Sequence, residues 1–160
     1  MLGGQYMQLN LAGFVKYSTT NGPGKRSVVW VQGCHIRCKG CFNPGFQPFC
    51  RHSPVSPGLL AEEIAGVDGI EGVTFTGGEP FCQAAALAET GRCLQRSGLN
   101  VVTFTGFAYK TIRQKKRNSW ESLLHVTDLL IAGSYESESG CRHPLLSSSN
   151  QELVYLSDVF

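Results

Sequence analysis

Apolar residues fall in short blocks separated by glycine, proline and serine, and the blocks differ in period. Ser27-Val28-Val29-Trp30-Val31 is a continuous, largely β-branched run, the pattern of a strand covered on both faces. Gly72-Val73-Thr74-Phe75-Thr76, Asn100 to Thr105 and Asp128 to Ala132 repeat that pattern, and Glu152 to Leu156 predicts a final strand. Met7 to Val15 alternates weakly and predicts an edge strand. Between the strands the period lengthens. Ser56 offers a capping hydroxyl and Pro57 suits a first helical position, so a helix is expected to about Ala65, ended by Gly66. Phe81 to Arg96 predicts a long helix with Ala84, Ala85, Leu87, Ala88, Cys93 and Leu94 as apolar positions, closed by Gly98. Tyr109 to Val126 predicts helix in one or two pieces, with Asn118 as a restart cap and Glu121 three residues on. Tyr17 to Lys25 reads as turn, and Phe42 to Pro57, rich in Pro, Phe and Ser, reads as loop.

Strands alternating with helices imply βαβ units and a mainly parallel sheet. Four or five such units are too few for an eight-stranded closed barrel. The expected fold is α/β, an open partial (β/α) barrel. The two loops Cys34–Cys41 and Gly77–Pro80 leave the C-terminal ends of strands, where such sheets bind ligands. A length of 160 residues fits one domain, expected over residues 7–160 after a loose terminus at 1–6.

Charge and composition narrow the function. A net charge of +2 gives no electrostatic case for nucleic acid. No apolar run reaches membrane-span length, and the first residues lack a basic stretch followed by an apolar one, so neither a membrane span nor a secretory signal is expected. Seven cysteines, an odd number with one tight cluster, argue against a disulfide scaffold and for a reducing cytoplasm.

That cluster carries the chemistry. Cys34, Cys38 and Cys41 stand at C-x3-C-x2-C spacing in one short loop. A structural zinc site takes four ligands, and so does an iron–sulfur cube. Three thiolates leave one iron of a cube open for a small molecule. The zinc alternative needs completion by His35, His52 or Cys50. Arg37 and Lys39 beside the thiols are expected to favour thiolate. Gly77-Gly78-Glu79-Pro80 pairs two residues without a Cβ, which lets a ligand approach the backbone, with a carboxylate that accepts hydrogen bonds from an ammonium; a plain turn is the alternative. Lys110, Arg113, Lys115, Lys116 and Arg117 form a basic segment, read as a solvated helix face or a docking patch for an acidic partner. Cys50, Cys82, Cys93 and Cys141 show no ligand spacing; Cys93 reads as a small packed hydrophobe and His125 as a packed core residue.

The cysteine loop resembles the cluster motif of the radical S-adenosylmethionine (radical SAM) enzymes. Asn21-Gly22-Pro23-Gly24-Lys25-Arg26, Gly77-Gly78-Glu79-Pro80, Asp128 to Gly133 and Ser148-Ser149-Asn150-Gln151 follow in the order found in the glycyl-radical activating enzymes, and most closely in activators of anaerobic ribonucleotide reductase. The likeness runs from about Asn10 onward. It implies a 4Fe–4S cluster on Cys34, Cys38 and Cys41, with S-adenosylmethionine held by Phe42, Asn43, Thr76, Gly77, Gly78, Glu79, Thr103 and Thr105. It also implies reductive cleavage of that cofactor to a 5′-deoxyadenosyl radical that takes hydrogen from a glycine of a partner enzyme. The electron donor is expected to be of flavodoxin or ferredoxin type. The resemblance suggests that Asn21–Arg26 lines the mouth of the site and that Ser148–Gln151 touches the cofactor or the partner's glycine loop. Gly40 stands where many radical SAM enzymes have an aromatic residue, a feature shared with the reductase activators. Ala132 replaces their usual acidic residue, and Leu146-Ser147 their Arg-Gly. The alternatives are a radical SAM enzyme acting on a small molecule, nucleoside or peptide, and a non-catalytic metal-binding module.

Overall fold

A computed structural model describes residues 7–160; the expected loose stretch at 1–6 lies outside the described residues. Strand β1 (Leu9–Ser18) pairs antiparallel with β2 (Arg26–Val31) on one side and with the short β3 (Ser53–Val55) on the other. The chain continues through α1 (Pro57–Ala65), β4 (Gly72–Gly77), α2 (Ala84–Arg96), β5 (Asn100–Thr105), α3 (Tyr109–Lys115), α4 (Asn118–Val126), β6 (Leu129–Ala132) and β7 (Glu152–Tyr155). One seven-stranded sheet results, in the order β3-β1-β2-β4-β5-β6-β7. The pairs β2–β4, β4–β5 and β5–β6 are parallel, whereas β6–β7 and both pairings of β1 are antiparallel. The sheet is therefore mixed, parallel in its middle and antiparallel at both margins.

The parallel strands advance in one direction without reversal. Helix α1 packs on α2 and α2 on α4, so the crossovers lie side by side on one face. Val29, Val31, Val73, Phe75, Val101, Leu130 and Ala132 point to that face and join the main core with Leu60, Ile64, Leu87 and Leu94. Each large side chain so buried contributes roughly 1.5–3 kcal/mol. The alternate residues Val102, Leu129 and Ile131 face the other way. They pack with Phe104, Leu145, Leu146 and Leu153, so the chain between β6 and β7 covers that side.

Local signals explain most of the elements. Ser56 caps α1, its hydroxyl accepting the Leu59 N–H at 3.2 Å, with Pro57 in the first turn. In α2, Leu87, Thr90, Gly91 and Leu94 form one buried stripe at helical spacing. Five expectations change. The first strand is longer than expected, and β3 covers its edge at Leu9–Leu11; β3 and a 3-10 turn at Pro44–Phe46 lie inside the stretch read as loop. Ser53-Pro54-Val55 is too short to show a period. The helix expected from Phe81 begins instead as a 3-10 turn, Pro80–Gln83, before α2. Asn118 is the first residue of α4 rather than its cap, and no side chain caps that helix. His125 is exposed, its Nδ1 2.7 Å from the Glu121 carbonyl, rather than packed in the core. Among the described residues no helix is long and apolar enough to cross a membrane.

Candidate functional site

Loops leaving the C-terminal ends of β2, β4 and β5 meet around one cavity. It is lined by Cys34, Cys38 and Cys41, by Phe42 and Asn43, by Thr76, Gly77, Gly78 and Glu79, and by Thr105 and Gly106. Ten of the eleven residues assigned above to the cluster and cofactor therefore line one space; the exception is Thr103. Its side chain points to the helix face, fully buried, with its hydroxyl 2.9 Å from that of Thr127.

The glycines explain how the loops come together. A Cβ on Gly77 would stand 2.5 Å from the Val31 nitrogen, and one on Gly78 would stand 2.4 Å from the Gly33 carbonyl oxygen. Real Cβ atoms do not approach so closely, so both positions require glycine. The paired glycines thus admit the start of the cysteine loop, and both also line the cavity. Two hydrogen bonds complete the join: Gly78 N–H to the Val31 carbonyl (2.7 Å) and Glu79 N–H to that of Gly33 (2.8 Å). The far side of the cysteine loop is held by Gly33 N–H to Phe46 O and Cys34 N–H to Gln47 O. Gln32, buried and not singled out in the sequence, donates to the Gly45 and Pro48 carbonyls and fixes the same segment. Its only sequence signal is an amide at the end of a buried strand.

Glu79 is 1% exposed, yet its carboxylate lines the cavity. Oε1 accepts from Phe81 N–H (2.9 Å) and the Thr105 hydroxyl (2.8 Å), and Oε2 from Gly106 N–H (2.8 Å). Burial raises its pKa to about 7, while these three donors oppose the rise. Thr105 and Gly106 thus act through Glu79.

Burial also raises the pKa of the Cys34 thiol. The backbone N–H groups of Arg37 and Ile36 oppose that rise, and the charges of Glu79 and Cys38 add to it. The expected help from basic side chains is therefore replaced by backbone donors. Lys39 points to Glu138 at 3.5 Å, with the two side chains 90% and 87% exposed. Arg37 takes a positive φ of 55°, which turns its N–H inward at the tight bend between ligands.

The Asn21–Arg26 loop does not line this mouth. It precedes β2 and therefore lies at the opposite end of the sheet from the cysteine loop, which follows β2. Arg26 is fully buried there, donating to Pro23 O (2.7 Å), Val73 O (3.1 Å) and Asn100 Oδ1 (3.0 Å). The tail segment does reach the cavity: Gln151 lines it, and its amide donates to Gly133 O at 2.9 Å. Ile36, Phe104, Gly133 and Tyr135 complete the wall, with the Tyr135 ring 4.6 Å from that of Phe42. Ile36 and Gly133 fall inside the cysteine loop and the Asp128–Gly133 motif, whereas no motif marked Phe104 or Tyr135.

All seven cysteines are free thiols. Among the described residues no three His, Cys, Asp or Glu side chains converge on a point as ligands of a single ion do. The residues suggested to complete a zinc site lie elsewhere. His35 stacks on Phe49, His52 holds the Leu11 carbonyl, and Cys50 lines a separate pocket. Three thiols on the wall of one cavity, each free to take a different iron, fit an iron–sulfur cluster.

The site thus sets a three-thiol loop beside a glycine-clamped buried carboxylate. A family profile described as a 4Fe-4S single cluster domain matches residues 20–154, and the chain belongs to that family. The anaerobic ribonucleoside-triphosphate reductase-activating protein of Pasteurella multocida is 24% identical over 151 residues, 89% of this chain and 96% of that protein. The pyruvate formate-lyase-activating enzyme of Streptococcus mutans is 26% identical over 155 residues, 89% of this chain and 58% of its own. A Haemophilus influenzae protein named for activating a glycyl-radical enzyme is 35% identical over 88 residues, 53% of this chain. The chain spans about a third of that relative's length, somewhat over half of the Streptococcus enzyme and nearly all of the Pasteurella protein. Recognition as a radical SAM chain of the glycyl-radical activase type, with a 4Fe–4S cluster and S-adenosylmethionine as cofactors, agrees with the family and the relatives.

Proposed function

We propose that the protein is a radical SAM activating enzyme that installs a glycyl radical on a large partner, of the anaerobic ribonucleotide reductase kind. When bound, the reduced cluster supplies one electron to S-adenosylmethionine, which splits into methionine and a 5′-deoxyadenosyl radical that takes a hydrogen atom from a glycine Cα. The chain's own residues hold and orient. Cys34, Cys38 and Cys41 are the three cluster ligands and leave the fourth position for the cofactor. Glu79, ionised, faces the cofactor's ammonium; Gly77 and Gly78 fix that carboxylate against the cysteine loop. Phe42, Asn43 and Thr76 flank the nucleoside, and Thr105 sets the Glu79 carboxylate. Thr103 drops out of this set because its hydroxyl is committed to Thr127.

The single observation that carries the reading is the convergence of the three thiols and Glu79 on one cavity. The cavity measures about 150 Å³, below the ~300–1,000 Å³ of a usual ligand pocket. The cofactors therefore extend beyond it into the open space beside the exposed Phe42 ring, which also leaves room for a glycine-bearing loop. The unreversed strand order, with all crossovers on one face, supports an open partial barrel over residues 7–160 as one domain. The electron donor is a flavodoxin- or ferredoxin-type protein. Seven free thiols suit a reducing cytoplasm.

The test is anaerobic incubation of the reconstituted protein, S-adenosylmethionine and reductant with an anaerobic ribonucleotide reductase. A glycine-centred radical in the electron paramagnetic resonance spectrum is expected. Formation of 5′-deoxyadenosine with no radical on the partner would move the reading to a small-molecule substrate.

A further inference from the structure

The cysteine loop has two sides. Cys34, Ile36, Cys38 and Cys41 line the cavity described above, whereas His35 and Phe49 wall a separate groove of about 690 Å³. The groove floor is aromatic: the Phe107 ring centre lies 4.8 Å from that of Trp120, and His35 stacks on Phe49 at 4.3 Å. One rim is cationic. Lys115 and Arg117 line it, and Lys116 is exposed between them. Arg113 of the same segment is paired with Glu121 at 2.8 Å, but Arg117 lies over the Trp120 ring at 4.8 Å with no carboxylate partner among the described residues. None of the residues lining the groove is acidic.

The groove also touches the back of the cluster loop. Cys82 lies in its wall and feels the charges of both Cys34 and Arg117. One residue separates the groove from a cluster ligand.

We propose that this groove is the docking surface for an acidic flavodoxin, which delivers electrons to the cysteine loop from the side opposite the substrate cavity. The proposal rests on the radical SAM reading given above. Charge complementarity selects the partner: a cationic rim steers an acidic protein and orients it on approach. The aromatic wall selects the carrier, because a flavin presents a planar apolar ring edge that the exposed Phe49 and the half-buried Phe107 can accept. In the transfer the reduced flavin loses one electron and the cluster gains it; no bond in this chain forms or breaks. With the donor behind the loop and the glycine-bearing partner in front of it, both can bind at once.

The test uses the reconstituted full chain with a purified reduced flavodoxin. The variant Lys115→Glu/Arg117→Glu reverses the rim without touching the cavity. Lys115→Glu/Lys116→Glu does so while leaving the Arg117–Trp120 contact in place. Expected are flavodoxin affinity at least tenfold weaker in both variants at low salt, wild-type affinity that falls as salt rises, and unchanged 5′-deoxyadenosine formation when dithionite replaces flavodoxin. Undiminished flavodoxin binding by the variants would overturn the proposal. So would a loss confined to binding of the glycyl-radical partner. Should wild-type protein form no 5′-deoxyadenosine with dithionite, the enzymatic reading fails, while the affinity measurement still decides the groove.

Discussion

Arg26 and Glu79 are both buried, 0% and 1% exposed, at opposite ends of the parallel strands, and they are satisfied in different ways. Arg26 spends three donors on protein acceptors and has the charges of Glu71 and Asp128 nearby; burial still lowers its pKa to about 10. Its charge is matched within the fold. Glu79 also makes three hydrogen bonds, but no cation pairs with it among the described residues, and it borders a cavity. A buried carboxylate with donors and no counter-charge is left partly protonated near neutrality. The N-terminal end of the sheet is thus complete in itself, whereas the C-terminal end presents a buried carboxylate whose counter-charge the proposed cofactor's ammonium would supply.

Changes at the two ends should separate accordingly. The largest effect belongs to the C-terminal end: Cys38→Ala removes a cluster ligand, and loss of bound iron with no measurable 5′-deoxyadenosine is expected, read by metal analysis and chromatography. Next comes Arg26→Met. It leaves the acceptors on Pro23, Val73 and Asn100 unmatched, at about 1 kcal/mol or more each. A stability loss of about 3 kcal/mol in urea denaturation is expected, with cofactor cleavage per folded molecule retained. Loss of cleavage without loss of stability would reverse the comparison.

Glu79→Gln gives a smaller and pH-dependent effect. The folded carboxyl keeps its proton to about pH 7, whereas an unfolded glutamate releases it at about 4.3. Proton release between these values favours the unfolded chain, so stability of the cofactor-free protein falls over that range and the glutamine variant flattens the fall. Binding runs the other way, because only the ionised carboxylate pairs with an ammonium. Wild-type affinity for S-adenosylmethionine, measured on cluster-loaded protein, should rise about tenfold from pH 6 to 8, as titration about pH 7 requires, and be flat in Glu79→Gln. The smallest effect serves as a control remote from both ends: Ser56→Ala removes the α1 cap and should cost about 1 kcal/mol in the same urea assay, with no change in cofactor affinity.

Much of this architecture was legible beforehand because its signals are local. Continuous β-branched runs marked β2, β4 and β5, and Ser56-Pro57 marked the start of α1. The cysteine spacing and Gly77–Glu79 located the site, since short spacings and strand ends are visible in one dimension. What was missed depends on tertiary partners. Nothing along the chain says that Gly78 packs against the Gly33 carbonyl, or that Thr103 and Thr105, two residues apart on one strand face, end beside Thr127 and Glu79 respectively. Arg26 was placed at the wrong end of the sheet because its motif was read by association with the cysteine loop. Five residues of strand separate them, and a strand of that length spans about 17 Å. Tyr135 and Gln151 reach the cavity through loops without periodicity, which sequence patterns do not position.

The central claim is that three thiolates hold a 4Fe–4S cluster with one iron left for S-adenosylmethionine. The most direct measurement is anaerobic reconstitution of the wild-type chain, with iron and sulfide counted per chain and the paramagnetic spectrum of the reduced protein recorded before and after adding the cofactor. The account predicts about four irons and four sulfides, a spectrum that changes on cofactor addition, and release of 5′-deoxyadenosine. One tightly held zinc per chain with no iron, or a full cluster whose spectrum ignores the cofactor, would contradict it.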